Sequence, residues 1–231
     1  MINLWNSLID LIVPRVCAIC GNRLAGPEQA ICAACNRHLP RTDHVLTPLD
    51  NPLCRLYWKQ MPVGKAAAWF YYSAGSPAGR AIYALKYHHQ ADIGRLLGEM
   101  MAREFQAEGF FEGIELLVPV PLTRGRQRQR GYNQSLLIAE GVSHITGIPI
   151  ANKALRRMRF DGSQTQNDIE ARRQNVKDAF QLRHPEHVKG RHLLLIDDVV
   201  TTGATTLSCA KELAKAGGVT VSVLSLGFVR P

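Results

Sequence analysis

Two adjacent carboxylates, Asp197 and Asp198, separate an apolar run (Leu193, Leu194, Leu195, Ile196) from Val199, Val200 and a Thr/Gly stretch: Thr201, Thr202, Gly203, Ala204, Thr205, Thr206. The apolar run has the composition of a strand buried on both faces, and residues 206–216 are compatible with a helix. A tight turn from the carboxyl end of such a strand into a helix is where open α/β sheets bind ligands. The turn offers backbone N–H groups and hydroxyls, and the helix amino end adds positive potential, so a phosphate fits there. The aspartates repel a phosphate and must serve another part of the ligand, accepting hydrogen bonds from sugar hydroxyls. Together these groups describe a ribose carrying a 5′-phosphate. The competing reading is an ordinary strand–helix turn with Thr205 or Thr206 as a cap. Capping needs only one hydroxyl, and that reading leaves two strand carboxylates without partners.

A second chemistry lies near the amino end. Cys17-x2-Cys20-x11-Cys32-x2-Cys35 spaces two paired-thiolate knuckles as in a four-cysteine zinc site. Four thiolates close the coordination sphere, which makes the expected Zn2+ structural, with no position for a catalytic water. A pair of redox CxxC motifs or buried free thiols are the alternatives; redox motifs usually occur singly beside a helix start. Cys54 and Cys209 stand apart, Cys209 inside the helix after the loop, as a core residue.

A third group is basic. Arg124, Arg126, Arg128 and Arg130 follow directly on the apolar segment 116–120, with no acid among them. This places them on the same rim of the sheet as the Asp-Asp loop, where guanidinium forks suit phosphate oxygens. A plain solvated basic loop is the alternative. A further cluster, Arg156, Arg157 and Arg159, precedes a polar stretch containing Gln166, Arg172, Arg173 and Asn175.

The elements that must position these groups follow from the pattern. Strands are expected at 66–73, 116–120, 148–151 with Leu155, 179–182, 193–197 and 219–226, and helices at 77–88, 92–106 and 132–145. Strands alternating with helices predict an α/β fold, a parallel sheet flanked by helices. Residues 1–40 read as an amino-terminal helix plus a zinc-ribbon-like module. Residues 41–65, with Pro48, Pro52 and Pro62, read as a linker of little regular structure, and 66–231 as the main domain. The chain has 231 residues, 46% hydrophobic and 20% charged, as a soluble globular protein has, and its net charge of +9 favours a polyanionic partner. Trp5, Leu8, Ile9 and Ile12 have helical spacing, but the segment is too short to span a bilayer. It also lacks a basic residue before Arg15, unlike a secretory signal. A cytoplasmic protein without a transmembrane segment is expected.

The Asp-Asp loop resembles the phosphoribosyl pyrophosphate (PRPP) signature of type I phosphoribosyltransferases. Several motifs occur with it in order: the cysteine knuckles, Ala84-Leu85-Lys86-Tyr87, Val118-Pro119-Val120-Pro121-Leu122, Arg130-Gly131-Tyr132-Asn133-Gln134, and Gln166 with Arg172 and Asn175. This combination resembles the ComF family of competence and DNA-uptake proteins over nearly the whole chain. The resemblance implies a type I phosphoribosyltransferase-like domain used in the uptake or nutritional use of extracellular DNA. It implies that Asp197 and Asp198 hold the ribose 2′- and 3′-hydroxyls while Val199, Val200, Thr201, Thr202, Gly203, Ala204 and Thr205 form the 5′-phosphate cradle. It also implies that Arg172 or Arg173, on a loop over the site, reaches the pyrophosphate of PRPP, with Mg2+ accompanying it.

Three functions compete at this point. One is a DNA-handling factor that binds PRPP or a related ribose phosphate and contacts single-stranded DNA through Arg124, Arg126, Arg128 and Arg130. The second is an active phosphoribosyltransferase of nucleotide salvage, for which no acceptor-recognition segment stands out. The third is a non-catalytic nucleotide-sensing scaffold whose zinc module recruits a DNA-uptake helicase or membrane component. The first is the favoured expectation, with catalysis left open.

Overall fold

The apolar runs become four strands: β1 (Ala66–Tyr71), β2 (Leu116–Pro119), β5 (His192–Val200) and β6 (Thr220–Phe228). A computed structural model of the chain describes residues 14–87, 91–158 and 179–230. The strands are all parallel and lie in the order β1-β6-β5-β2. β5 is thus an inner strand, paired through Pro119↔Ile196 on one side and Asp197↔Ser225 on the other.

Its side chains alternate between two cores, as a two-residue period requires. Leu194 and Ile196 join one core with Ile82, Leu97, Met101, Ile138 and Val142; Leu193 and Leu195 join another with Cys209, Ala210 and Leu213. The first core is covered by α3 (Pro77–Tyr87), α4 (Ala91–Ala107) and α6 (Gln134–Thr146), the second by α7 (Ala204–Ala214). Helices therefore flank both faces of a parallel sheet. Among the described residues, no helix is long and apolar enough to cross a membrane.

Three segments differ from the sequence pattern. Leu155 belongs to β3 (Leu155–Arg157), which pairs antiparallel with β4 (Phe180–Leu182) in a separate two-stranded sheet. Residue 150 contributes a single bridge to Leu117. The basic run is a helix, α5 (Arg124–Arg130): Thr123 caps its start by accepting from the Arg126 N–H, and Gly131 ends it at φ +80. The stretch read as a linker holds a 3-10 turn (His44–Leu46) and a short helix, α2 (Pro52–Arg55). Asn51 caps α2 and also donates from Nδ2 to Ala66 O at 2.8 Å. Leu53 and Tyr57 pack with Ala66, Ala68, Val200 and Phe228 in a third apolar cluster. Pro52 starts this helix at a position where no N–H is needed.

The cysteine knuckles sit on the same body. Ile19, Leu24, Ile31 and Leu39 extend the first core, and α1 (Ala33–Arg37) leads to Arg41. Arg41 is a clamp: its guanidinium lies 4.6 Å from the Trp69 ring centroid, bonds Glu104 at 2.9 Å and Asn36 Oδ1 at 2.8 Å. The expected amino-terminal helix with Trp5, Leu8, Ile9 and Ile12 lies outside the described residues, as does the stretch from Arg159 through Gln166 to Asn175.

His44 supplies a test of this packing. It is buried between the rings of Tyr71 and Phe228, and neither ring nitrogen has a hydrogen-bond partner. Burial lowers its pKa to about 4, against a small opposite pull from Asp43. A histidine depressed below its unfolded value contributes stability above about pH 6.5 that is lost as pH falls toward 4. Urea denaturation of wild type and His44→Phe should show the stability difference moving by about 3 kcal/mol in favour of the variant between pH 7 and pH 4. A difference that stays flat would mean the ring is paired or solvated.

Candidate functional site

The site is built where β5 ends. Thr201 and Thr202 are exposed, and Gly203 takes φ +74 as α7 begins at Ala204 with no side chain capping its amino end. Asp197 and residues 199–206 line a small, open concavity. Only a glycine suits position 203. The left-handed turn strains any side chain, and a Cβ would stand 3.2 Å from Leu56 Cδ1 and 3.3 Å from Tyr57 Cε1. Thr206 turns inward: its hydroxyl donates to Gly203 O at 3.0 Å and lies 2.7 Å from the Tyr57 hydroxyl. Thr206 is therefore the residue of this loop whose hydroxyl serves the fold. An uncapped helix start beside exposed hydroxyls is a set of donors suited to an anion.

The two aspartates are held differently. Asp198 forms an ion pair with Lys86 of α3 at 2.9 Å. Asp197 has a neutral partner: Ser135 of α6 donates to its Oδ1 at 3.1 Å, and the Asp198 N–H donates to the same oxygen at 2.9 Å. Burial, and then the charge of Asp198, push the Asp197 carboxyl up to about 7. Near neutrality the pair thus carries less than two full negative charges, one of them matched by Lys86. That lowers the repulsion toward an incoming phosphate and leaves carboxyl oxygens beside the loop for hydroxyl donors.

The Arg130-Gly131-Tyr132-Asn133-Gln134 run is the joint between α5 and α6. Tyr132 donates to Leu85 O at 2.9 Å, tying this joint to the helix that carries Lys86. Asn133 caps α6 by accepting from the Ser135 N–H, and donates to Val120 O at 3.1 Å at the end of β2. Arg130 donates to Gln134 Oε1 at 2.8 Å. These contacts place Ser135 on Asp197. Arg124, Arg126 and Arg128 are exposed on α5, while Arg130 is half-buried. Arg157 of β3 lies 5.2 Å from the Phe180 ring centroid, and burial followed by the charge of Arg126 lowers its pKa. The two guanidiniums are thus electrostatic neighbours. Arg172 and Arg173 lie outside the described residues.

The sequence reading gives Lys86, Ser135 and Tyr57 no role, and Thr206 only the alternative one of a helix cap. Lys86 and Gln134 belong to the Ala-Leu-Lys-Tyr and Arg-Gly-Tyr-Asn-Gln motifs, the one signal in the sequence that points to them; Tyr57 and Ser135 carry none.

The four knuckle cysteines converge. The sulfurs of Cys17, Cys20, Cys32 and Cys35 lie within 4.8 Å of one another, and those of Cys20 and Cys32 are 3.8 Å apart. A tetrahedral zinc site with Zn–S bonds of about 2.3 Å has sulfur–sulfur edges of about 3.8 Å. Backbone N–H groups of Ile19 and Cys32 donate to Cys17 Sγ at 3.4 and 3.3 Å, orienting the thiolate. Burial raises the Cys17 thiol, and backbone N–H groups outweigh that and bring it down to about 7. The donor set fits a closed metal site. Cys54 is elsewhere, donating to Pro48 O at 3.0 Å, and Cys209 is buried in α7.

No protein-family model matches the chain. Among curated proteins it is 32% identical, over 227 residues, to DNA utilization protein YhgH of Escherichia coli O157:H7, spanning 94% of this chain and 98% of that protein. It is 32% identical, over 154 residues, to Competence protein F of Haemophilus influenzae, spanning 65% and 67% respectively. Among solved structures, adenine phosphoribosyltransferase from Leishmania tarentolae is 14% identical with a TM-score of 0.37, covering 77% of this chain and 88% of that one.

The raised Asp197 carboxyl makes a stability prediction. A carboxyl raised above its unfolded value contributes stability at pH below about 3.8 that is lost as pH rises through 7. Asn at this position retains an Oδ1 that accepts from Ser135 and from the Asp198 N–H. Asp197→Asn should be more stable than wild type at pH 8 by on the order of 2 kcal/mol, the gain vanishing by pH 4. Paired urea titrations at the two pH values read this directly, and equal stabilities at pH 8 would contradict the assigned protonation.

Proposed function

Because the chain belongs to the ComF family, whose members include DNA-utilisation and competence proteins, we propose that it is a cytoplasmic protein that binds PRPP or a related ribose phosphate and acts in the uptake or nutritional use of extracellular DNA. The loop 201–205 receives the 5′-phosphate on backbone N–H groups and threonine hydroxyls. Asp197 and Asp198 accept from the ribose hydroxyls. Val199 and Val200 carry the strand into the turn. When PRPP is the ligand, Arg172 or Arg173 meets its pyrophosphate, and Mg2+ travels with it. Arg124, Arg126 and Arg128 of α5 contact phosphates of pyrophosphate or of single-stranded DNA, with Arg130 at the inner end of the same helix. Zn2+ at Cys17, Cys20, Cys32 and Cys35 is structural.

The observation that carries this reading is the concavity at the end of β5. It joins a left-handed glycine, an uncapped helix start and the Asp197 carboxyl, which accepts from Ser135 and whose pKa burial raises. Anion donors and diol acceptors stand side by side there, and the two halves of a ribose phosphate need both. The DNA half rests on the relatives' names and on three exposed arginines of one helix, in a chain of net charge +9. Contacts of that kind release counterions and make affinity fall steeply with salt.

Calorimetry with PRPP and Mg2+ tests the first half, and fluorescence anisotropy with an unstructured single-stranded oligonucleotide the second. Wild type should bind PRPP, and Gly203→Val should abolish binding by straining the left-handed turn and pressing on Leu56 and Tyr57 beneath it, which distorts the loop. Oligonucleotide affinity should fall by about 10-fold or more between 50 and 200 mM salt, and replacing Arg124, Arg126 and Arg128 with alanine should flatten that slope. PRPP binding unaltered by Gly203→Val would refute the loop assignment; a salt-insensitive oligonucleotide affinity would refute the arginine contact.

A further inference from the structure

Tyr57 comes from the stretch between the cysteine module and β1, yet it lies directly under the phosphate loop. It is 1% exposed, its ring would be 3.3 Å from a Cβ at Gly203, and its hydroxyl is 2.7 Å from Thr206 Oγ1. Thr206 has one hydroxyl proton, and it is directed to Gly203 O at 3.0 Å. The Tyr57 hydroxyl is therefore the donor in its bond to Thr206. Burial raises its pKa, so it remains a phenol throughout the range in which the protein is handled. The result is a relay of two hydrogen bonds in series, Tyr57 O–H to Thr206 Oγ1 and Thr206 O–H to the Gly203 carbonyl. The Leu207 N–H donates to the same carbonyl at 2.8 Å.

In a planar trans peptide the carbonyl of one residue and the N–H of the next point in opposite directions. Holding the Gly203 carbonyl toward the helix body therefore aims the Ala204 N–H the other way, out of the uncapped end of α7 toward the concavity. Glycine at φ +74 has no side chain to fix that peptide by itself, and the relay adds to the Leu207 N–H in restricting its torsional freedom.

We infer that Tyr57 is a positioning residue of the anion cradle: its hydroxyl, acting through Thr206, holds the Gly203–Ala204 peptide with its N–H facing the ligand phosphate. This rests on the sugar-phosphate reading of the site and extends it to a residue 149 positions away in sequence. Tyr57 itself is anchored from below. Asn51 fixes α2 by accepting from the Leu53 and Cys54 N–H groups at 3.0 Å each and bonds the β1 backbone at Ala66.

The test is calorimetry of the full chain with ribose 5-phosphate, at a temperature where circular dichroism shows every variant folded. Tyr57→Phe keeps the ring and removes the donor; Thr206→Val keeps the volume and breaks both bonds; Thr206→Ser keeps the hydroxyl. Tyr57→Phe and Thr206→Val should each weaken binding about fivefold, the worth of one net hydrogen bond. The double variant should bind no worse than Thr206→Val alone, because the bonds act in series, and Thr206→Ser should restore most of the affinity. A merely structural role would lower the melting temperature and leave the dissociation constant of the folded protein unchanged. Tyr57→Phe with wild-type affinity overturns the inference while leaving the site reading intact. Failure of wild type to bind ribose 5-phosphate overturns that reading and this inference together. Should Tyr57→Phe not fold, equal affinities for Thr206→Val and Thr206→Ser overturn the relay.

Discussion

Two neighbouring carboxylates at the end of a strand buried on both faces are costly to hold, and much of the surrounding structure answers that cost. Asp198 meets a lysine from α3, and Asp197 meets a serine from α6. Those partners require both helices to reach the carboxyl end of β5. Asn133 secures one by capping α6 and bonding the end of β2, and Tyr132 secures the other by bonding the last turns of α3. The motif Arg-Gly-Tyr-Asn-Gln is in this sense an electrostatic support for Asp197. Its residues act by placing a hydroxyl where a half-buried acid needs a donor.

The strand, loop and helix of the site were legible in the sequence because each is local. The apolar run of β5, the glycine at its end and the helix-compatible residues beyond lie within a continuous segment, and so do the two knuckle pairs. Contacts between distant segments were not legible. Ser135 and Asp197 are 62 residues apart, and Tyr57 and Thr206 are 149 apart; no periodicity carries such pairings. The stretch 41–65 was misleading for a different reason. Its prolines suggest a break, whereas Pro52 begins a helix capped by Asn51, and the buried residues it contributes are few and unevenly spaced. The arginine run lacks an apolar stripe and so reads as a loop, although Thr123 and Gly131 bracket it as start and stop signals. β3 and β4 look like sheet strands by composition, and only their pairing with each other separates them from the parallel sheet.

The cysteine module is tied to the body by more than its apolar contacts. Arg41 joins Asn36, which follows the last knuckle cysteine, to Glu104 of α4, and Glu104 also accepts from the Trp69 ring N–H at 2.8 Å. On either side of Arg41 the chain runs along β1: Tyr71 N–H donates to Pro40 O at 2.7 Å, and Thr42 bonds Ala68 and Trp69. It then delivers α2 and Tyr57. One continuous path therefore leads from the four-cysteine cluster, along the edge of the sheet, to the underside of the Gly203 turn. A small module with little core of its own gains rigidity from a closed metal site, and that path is held at each end by polar contacts within otherwise apolar surroundings.

Under the proposed ribose-phosphate function, an anion cradle and an acidic pair at one strand end make opposing demands. Donors must face the phosphate, while acceptors must face the sugar without repelling the phosphate beside them. Coulomb repulsion at this range is strong where water is excluded. The arrangement resolves the conflict unequally. Lys86 neutralises Asp198, and Asp197, lacking a cation of its own, lets burial keep a proton on it near neutrality. A lysine for each acid would make a tighter fold and a poorer sugar site, because the carboxyl oxygens would already be engaged. Leaving one acid with only a serine and a backbone N–H preserves acceptor capacity at the expense of stability.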